Sequence, residues 1–145
     1  MRFLCDHMLG TLAKWLRFLG YDTVYPGPLE DNALLEQSRK EGRVLLTRDK
    51  ALAARTDGGF GIVSDQLEEQ LEEVRRAFGI TASAALSRCS VCNAEIVRLP
   101  AEEARGQVPE HVLSHHTEFW RCPDCRRVYW KGSHYEALQR QISAW

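Results

Sequence analysis

The sequence predicts an α/β fold: a small parallel sheet flanked by helices, followed by a compact cysteine-rich module. Three observations carry this. Short apolar runs alternate with helical stretches up to about residue 78, in the order βαβαβαβα with short connections. Acidic residues stand where strands end or helices begin. Four of the five cysteines form two Cys-x-x-Cys pairs, Cys89/Cys92 and Cys122/Cys125.

The first strand is Phe3-Leu4-Cys5, and it stops at Asp6. Met8, Leu12, Trp15, Leu16 and Leu19 then recur at three- and four-residue steps, which predicts a helix with those residues on one face and Thr11, Lys14 and Arg17 on the other. Gly20 closes it. Tyr21–Tyr25 reads as a second strand and Pro26-Gly27-Pro28 as a turn. A helix over Asp31–Glu41 turns Leu34, Leu35 and Ser38 inward and ends at Gly42. Arg43–Leu46 is a third strand leading into Thr47-Arg48-Asp49, and Lys50–Arg55 a short helix. Phe60–Val63 is a fourth strand, and a helix begins at Ser64-Asp65 and runs to Phe78 with Leu67, Leu71, Val74 and Phe78 inward. Residues 1–80 thus form one unit, 81–87 a weakly patterned linker, and 88–145 a second unit.

In a parallel sheet the strand ends converge on one edge, where α/β proteins place their chemistry. Asp6, Asp31, Asp49 and Asp65 all belong to that edge. Converging carboxylates disfavour one another's ionisation unless a cation joins them, and an all-oxygen site suits Mg²⁺ or Mn²⁺. The alternative is local: Asp6, Asp31 and Asp49 each precede or begin a helix and can cap it, and Asp65 with Glu68 resembles a capping box.

The two Cys-x-x-Cys pairs lie 29 residues apart, and each is followed by a predicted strand, Glu95–Leu99 and Val128–Trp130. Cys89, Cys92, Cys122 and Cys125 supply four thiolates, the set a closed structural zinc site needs, in the layout of a zinc ribbon. Such a site has no open position for catalysis and stabilises a module too small to bury a core of its own. Pro100–Thr117 is expected to be a short helix and a loop. Ser133–Trp145 is expected to be a helix with His134, Leu138 and Ile142 on one face, docking the ribbon on the sheet unit.

Composition bounds the partners. With 145 residues, 44% hydrophobic and 27% charged, the chain has the make-up of a soluble globular protein. Its beginning, MRFLCDHM, meets an acid after three apolar residues and does not read as a signal peptide, so a cytoplasmic protein is expected. The net charge of −1 excludes a global basic field, yet Arg121, Arg126, Arg127 and Lys131 surround the single acid Asp124.

The segments RFLCDHMLGTLAKWLRFLGYDT, EGRVLLTRDKAL, RCSVCN and CPDCRRVYWKGSHY, in that order, resemble the Mut-seven carboxy-terminal RNase family, whose members are similar to PIN-domain nucleases with a zinc ribbon appended. The resemblance covers nearly the whole chain. It implies a PIN-like sheet and a metal-dependent ribonuclease in which Asp6, Asp31, Asp49 and Asp65 are catalytic acids, the first three holding Mg²⁺ or Mn²⁺. It implies RNA as partner, with Lys14, Arg17, Arg48, Arg126, Arg127, Lys131 and His134 as contacts and Tyr129 and Trp130 interleaved among them. Fewer helices separate Asp31 from Asp49 than in larger PIN domains, which implies a smaller metal site. The competing reading is a non-catalytic zinc-ribbon module that binds RNA or protein. A toxin role rests on fold analogy alone and is disfavoured by the ribbon.

Overall fold

The computed structural model describes residues 1–143 and 145. Four parallel strands, β1 (Arg2–Cys5), β2 (Asp22–Val24), β3 (Val44–Thr47) and β4 (Phe60–Gly61), form a sheet in the order β2-β1-β3-β4. The register pairs Phe3 with Thr23 on one side and with Val44 on the other. The helices are α1 (Gly10–Phe18), α2 (Asp31–Glu41), α3 (Lys50–Ala53) and α4 (Leu67–Phe78). The fold class agrees with the expectation, although β1 begins one residue earlier, β3 is shifted by one residue, and β2 and β4 are each two residues shorter.

Period-two alternation divides the core between the two faces of the sheet. Phe3, Cys5 and Leu46 pack with Leu12 and Leu16 of α1 and with Leu71 and Val74 of α4. Leu4 and Leu45 face the opposite way, against Leu34 and Leu35 of α2 and Leu52 of α3. Met8 departs from the expected pattern. Residues His7–Leu9 form a 3₁₀ turn before α1, so the step per residue widens from 100° to 120°, Leu9 enters the core and Met8 is exposed.

The second unit is a three-stranded antiparallel sheet, β5 (Val97–Leu99), β6 (Phe119–Arg121) and β7 (Val128–Tyr129), with β6 central. Two short helices, α5 (Ala101–Ala104) and α6 (Glu110–His115), fill the connection in which one was expected, and β6 is a strand that the sequence pattern does not predict. Phe119, Leu99, Val108 and Val112 make a small separate core. The last helix, α7 (Ser133–Ile142), leaves that core alone: Leu138 and Ile142 join the cluster of α1 and α4 on the large sheet. His134, expected on the same face, is exposed, and Tyr135 packs on Phe18 in its place, with ring centroids 6.4 Å apart.

Residues 80–86 also pack. Ile80 and Leu86 are buried, and the Leu86 amide donates to the Phe18 carbonyl at 2.7 Å. Gly20, at φ +97°, lets this segment pass: a Cβ there would stand 2.4 Å from the Ala84 carbonyl oxygen. Among the described residues no helix is long and apolar enough to cross a membrane.

Candidate metal centres at the sheet edge and in the ribbon

The connection leaving β1 runs through α1 to β2 on one side, and the connection leaving β3 runs through α3 to β4 on the other. The chain therefore reverses direction between β1 and β3, which makes their carboxyl ends the switch point of the sheet. Asp6 follows β1 directly. Its amide donates to the Leu46 carbonyl at 3.0 Å, extending the ladder by one bond and fixing the backbone. Its Oδ1 accepts from the His7 amide at 2.7 Å, and its Oδ2 accepts from the Thr47 hydroxyl at 2.8 Å. Thr47, fully buried at the end of β3, accepts at the same oxygen from the Asp49 amide at 3.0 Å. One hydroxyl thus ties the two acids of adjacent strands together. Asp49 Oδ1 accepts from the Leu52 amide at 3.1 Å and caps α3, so both its capping role and its place at the edge hold.

Asp31 and Asp65 stand apart from this pair. Asp31 is exposed in the first turn of α2, and the capping position before it belongs to Glu30. Asp65 is exposed and accepts from the Gln66 side-chain amide at 3.0 Å. Gln66 precedes α4, so the expected Asp65–Glu68 capping box does not form. The loop is held instead by Glu73, whose carboxylate accepts from the amides of Val63 and Ser64 at 2.8 and 3.0 Å. Among the described residues, no three carboxylates bring their oxygens within 4.8 Å of one another; the one group of three or more that meets this measure is Cys89, Cys92, Cys122 and Cys125.

The two cysteine pairs are built alike. Asn93 follows the first and Arg126 the second, both left-handed at φ +67° and +69°, and their amides donate to the carbonyls of Cys89 and Cys122 at 2.9 and 3.0 Å. Each turn aims its thiols inward. The sulfurs of Cys89 and Cys125 are 3.7 Å apart. Four thiolates at about 2.3 Å from a tetrahedral zinc stand about 3.8 Å from one another, so this spacing fits. Burial opposes ionisation of Cys89. The Tyr129 hydroxyl 2.9 Å away and the amides of Cys92 and Val91 favour its thiolate and bring its pKa down to about 7.

The first turn is bound to the large sheet. Asn93 accepts from the Thr23 amide at 2.9 Å and donates to the Asp22 carboxylate at 2.7 Å. Arg43 donates to the same carboxylate at 2.8 Å and to the Phe3 carbonyl at 3.2 Å. Arg17 completes the seam: it donates to the carbonyls of Thr23, Ser90 and Val91 at 2.8, 3.0 and 3.1 Å. That corrects the expectation that Arg17 faces solvent and RNA, because its guanidinium is committed to backbone. Sequence reading missed Thr47, Asn93 and Arg43. The Leu-Thr-Arg-Asp turn contains Thr47, but its spacing alone gives a hydroxyl no role.

The other basic candidates divide. Lys14, Arg126, Arg127 and His134 line one cleft of about 710 Å³ between α1 and the ribbon. Lys131 lies over the Tyr135 ring at 5.6 Å, and Arg48 is exposed near the acid edge, donating to the Val63 carbonyl at 3.3 Å.

In an alignment 103 residues long that covers 65% of its length, the chain is 34% identical to a human protein named exonuclease mut-7 homolog, of which the aligned part is only 12%. No solved structure matches. Residues 1–142, from β1 through the last turn of α7, match the family described as Mut7-C RNAse domain, and the chain belongs to that family.

Proposed function

We propose that this protein is a metal-dependent ribonuclease whose reaction site is the β1–β3 edge. The observation that carries the reading is the Asp6–Thr47–Asp49 link at the switch point of the sheet. Membership in an RNase-domain family and likeness to a relative named as an exonuclease support a nuclease.

The residues fit a hard cation of modest demand. Mg²⁺ is commonly bound by one or two carboxylates, with water and phosphate oxygens completing its octahedron. Asp6 and Asp49 would hold it. Each of their carboxylates spends one lone pair per bonded oxygen on the protein, leaving others for a ligand. Bound there, Mg²⁺ or Mn²⁺ would supply charge neutralisation at the phosphodiester and a more acidic water. Thr47 sets the orientation of Asp6 through its hydroxyl and that of Asp49 through the amide it accepts from. Asp31 and Asp65 contribute negative charge at the same edge without sharing that link. In the ribbon we propose a structural zinc on Cys89, Cys92, Cys122 and Cys125.

The test is cleavage of labelled single-stranded RNA by zinc-loaded protein with Mg²⁺ or Mn²⁺, alongside Mn²⁺ binding by calorimetry. Asp6→Asn and Asp49→Asn should each reduce cleavage to background, and the double variant should lose Mn²⁺ binding. Asn caps helices as well as Asp does, so Asp49→Asn keeps α3 and removes only the charge. Thr47→Val should slow cleavage about tenfold, a barrier change of about 1.4 kcal/mol. Unchanged cleavage in both Asn variants refutes the reading. A second reading, a non-catalytic RNA- or protein-binding module, is favoured by the absence of any three-carboxylate group among the described residues. Metal-independent RNA binding without cleavage would select it.

A further inference from the structure

We infer that the cleft between α1 and the ribbon is a binding track for single-stranded RNA, in which Trp130 takes a base and Lys14 and Arg126 take phosphates. The inference rests on the ribonuclease reading only for the class of nucleic acid.

Charge is the first argument. The protein carries a net charge of −1, yet the cleft is lined by Lys14, Arg126 and Arg127 and by no carboxylate. A local field of that sign in a near-neutral protein attracts a polyanion to one place. The floor is the second argument. Trp15, Phe18, Tyr129 and Trp130 line the same cleft, and the two indoles are half-buried, each anchored in a core with one side in the cleft. Aromatic faces between cations are what an unpaired base and its phosphates require. A duplex hides those faces, which selects a single strand.

Two backbone features hold this arrangement. Gly132 carries the Trp130 indole against its own backbone: a Cβ at that position would stand 2.5 Å from Nε1. Arg126 occupies the left-handed position of its cysteine turn, where glycine or asparagine is the comfortable choice. The other turn uses asparagine there, Asn93. An arginine at that position presents a guanidinium to the cleft at the expense of backbone ease.

Position connects the track to the acids. Thr11, two residues beyond the 3₁₀ segment that follows Asp6, lines the cleft, as does Phe18 at the other end of α1. The cleft therefore follows α1 away from the reaction edge, and a strand lying in it has one end delivered toward Asp6.

The experiment is fluorescence anisotropy of a labelled ten-nucleotide single-stranded RNA with the zinc-loaded full chain, in buffer without Mg²⁺ or Mn²⁺, across a salt series. Lys14→Ala combined with Arg126→Gly should lower the slope of log affinity against log salt by about 1.4, at about 0.7 per phosphate contact. Arg126→Gly alone should weaken binding while holding or raising Tm, since glycine suits φ +69°; a folding defect would move both the same way. Trp130→Leu should weaken binding at least about fivefold and remove most tryptophan quenching by RNA. Affinity and slope unchanged in these variants overturn the inference and leave the cleft to a protein partner. Failure of the wild type to bind also overturns it. Cleavage separates the two proposals: RNA cut normally by all the cleft variants, with unchanged affinity, refutes the track alone. Binding that the cleft variants abolish, in a wild type that never cuts, refutes the nuclease and leaves the track standing.

Discussion

Replacing Asn93 with glycine should weaken the hold of the sheet on the ribbon's first cysteine turn without altering a cysteine. The side chain makes two bonds across the seam. Its Oδ1 receives the Thr23 amide at 2.9 Å, and its Nδ2 donates to the Asp22 carboxylate at 2.7 Å. β2 is an edge strand, so the Thr23 amide on its outer side has no neighbouring strand to bond. Thr23 is fully buried. Losing the neutral bond leaves that amide unsatisfied, which costs about 1–3 kcal/mol, and losing the bond to an ionised carboxylate costs about 1.5–3 kcal/mol. Glycine accepts φ +67°, so relief of that conformation and the added freedom of the unfolded chain roughly offset each other. Arg43 remains on Asp22, which favours the lower end of both ranges. The expected loss is about 3 kcal/mol, or about 6–12 °C in Tm for a chain of this size. Thermal and urea unfolding of zinc-loaded protein would measure it. Asn93→Ala should be worse than Asn93→Gly by about 1 kcal/mol, because alanine at positive φ is strained. A loss below about 0.5 kcal/mol for Asn93→Gly would refute Asn93 as an energetic contact of the seam.

Three further outcomes follow from the same geometry. Partial burial works against ionisation of Asp22, but bonds from Arg43 and Asn93 hold its carboxyl below the usual range. A depressed carboxylate stabilises above its unfolded pKa of about 4 and loses that contribution as pH falls through its lower folded value. The stability gap between wild type and Asp22→Asn should therefore be full at pH 6 and shrink below about pH 4; a gap independent of pH would refute this. Gly20→Ala should cost at least about 2 kcal/mol by unfolding assays, since its Cβ would press on the Ala84 carbonyl. Removing metal from the cysteine cluster with a chelator should speed hydrogen exchange at the Thr23 amide, because that amide is covered from the ribbon; unchanged exchange there would show that the seam outlives the metal.

The large sheet, its helices and the four-cysteine group were legible because each rests on a local pattern: an apolar run, a 3.6-residue period, a fixed knuckle spacing. Met8 was misplaced because a 3₁₀ turn of three residues leaves no trace in that period. The strand Phe119–Arg121 was invisible because three residues are too few to alternate, and its partners lie on either side in β5 and β7. Arg17 shows a different limit. A cation on the outer face of a helix reads as solvated until a later segment, here Ser90-Val91, lays its carbonyls over it. Asp6 and Asp49 were legible as acids after strands, while Thr47 was not, since its role depends on β1 and β3 being neighbours. The expectation that four acids meet rested on the convergence of strand ends at one edge, which does not fix where each side chain points. Asp31 faces water because Leu34 and Leu35 set the buried side of α2, and Asp65 lies exposed in the loop before α4, bonded to the Gln66 side chain.

The placement of α7 governs the order in which the molecule is assembled. Leu138 and Ile142 complete a core whose other members begin at Phe3. During synthesis the α1–α4 surface must stay open until almost the whole length described here has been made, at about 5–20 residues per second. That apolar surface is then covered only after both cysteine turns have been translated. A fragment ending near residue 80 would expose the apolar floor that α7 covers. The two units are consecutive in sequence, yet the core of the first closes only on the last helix of the second, so the nascent chain completes that core late.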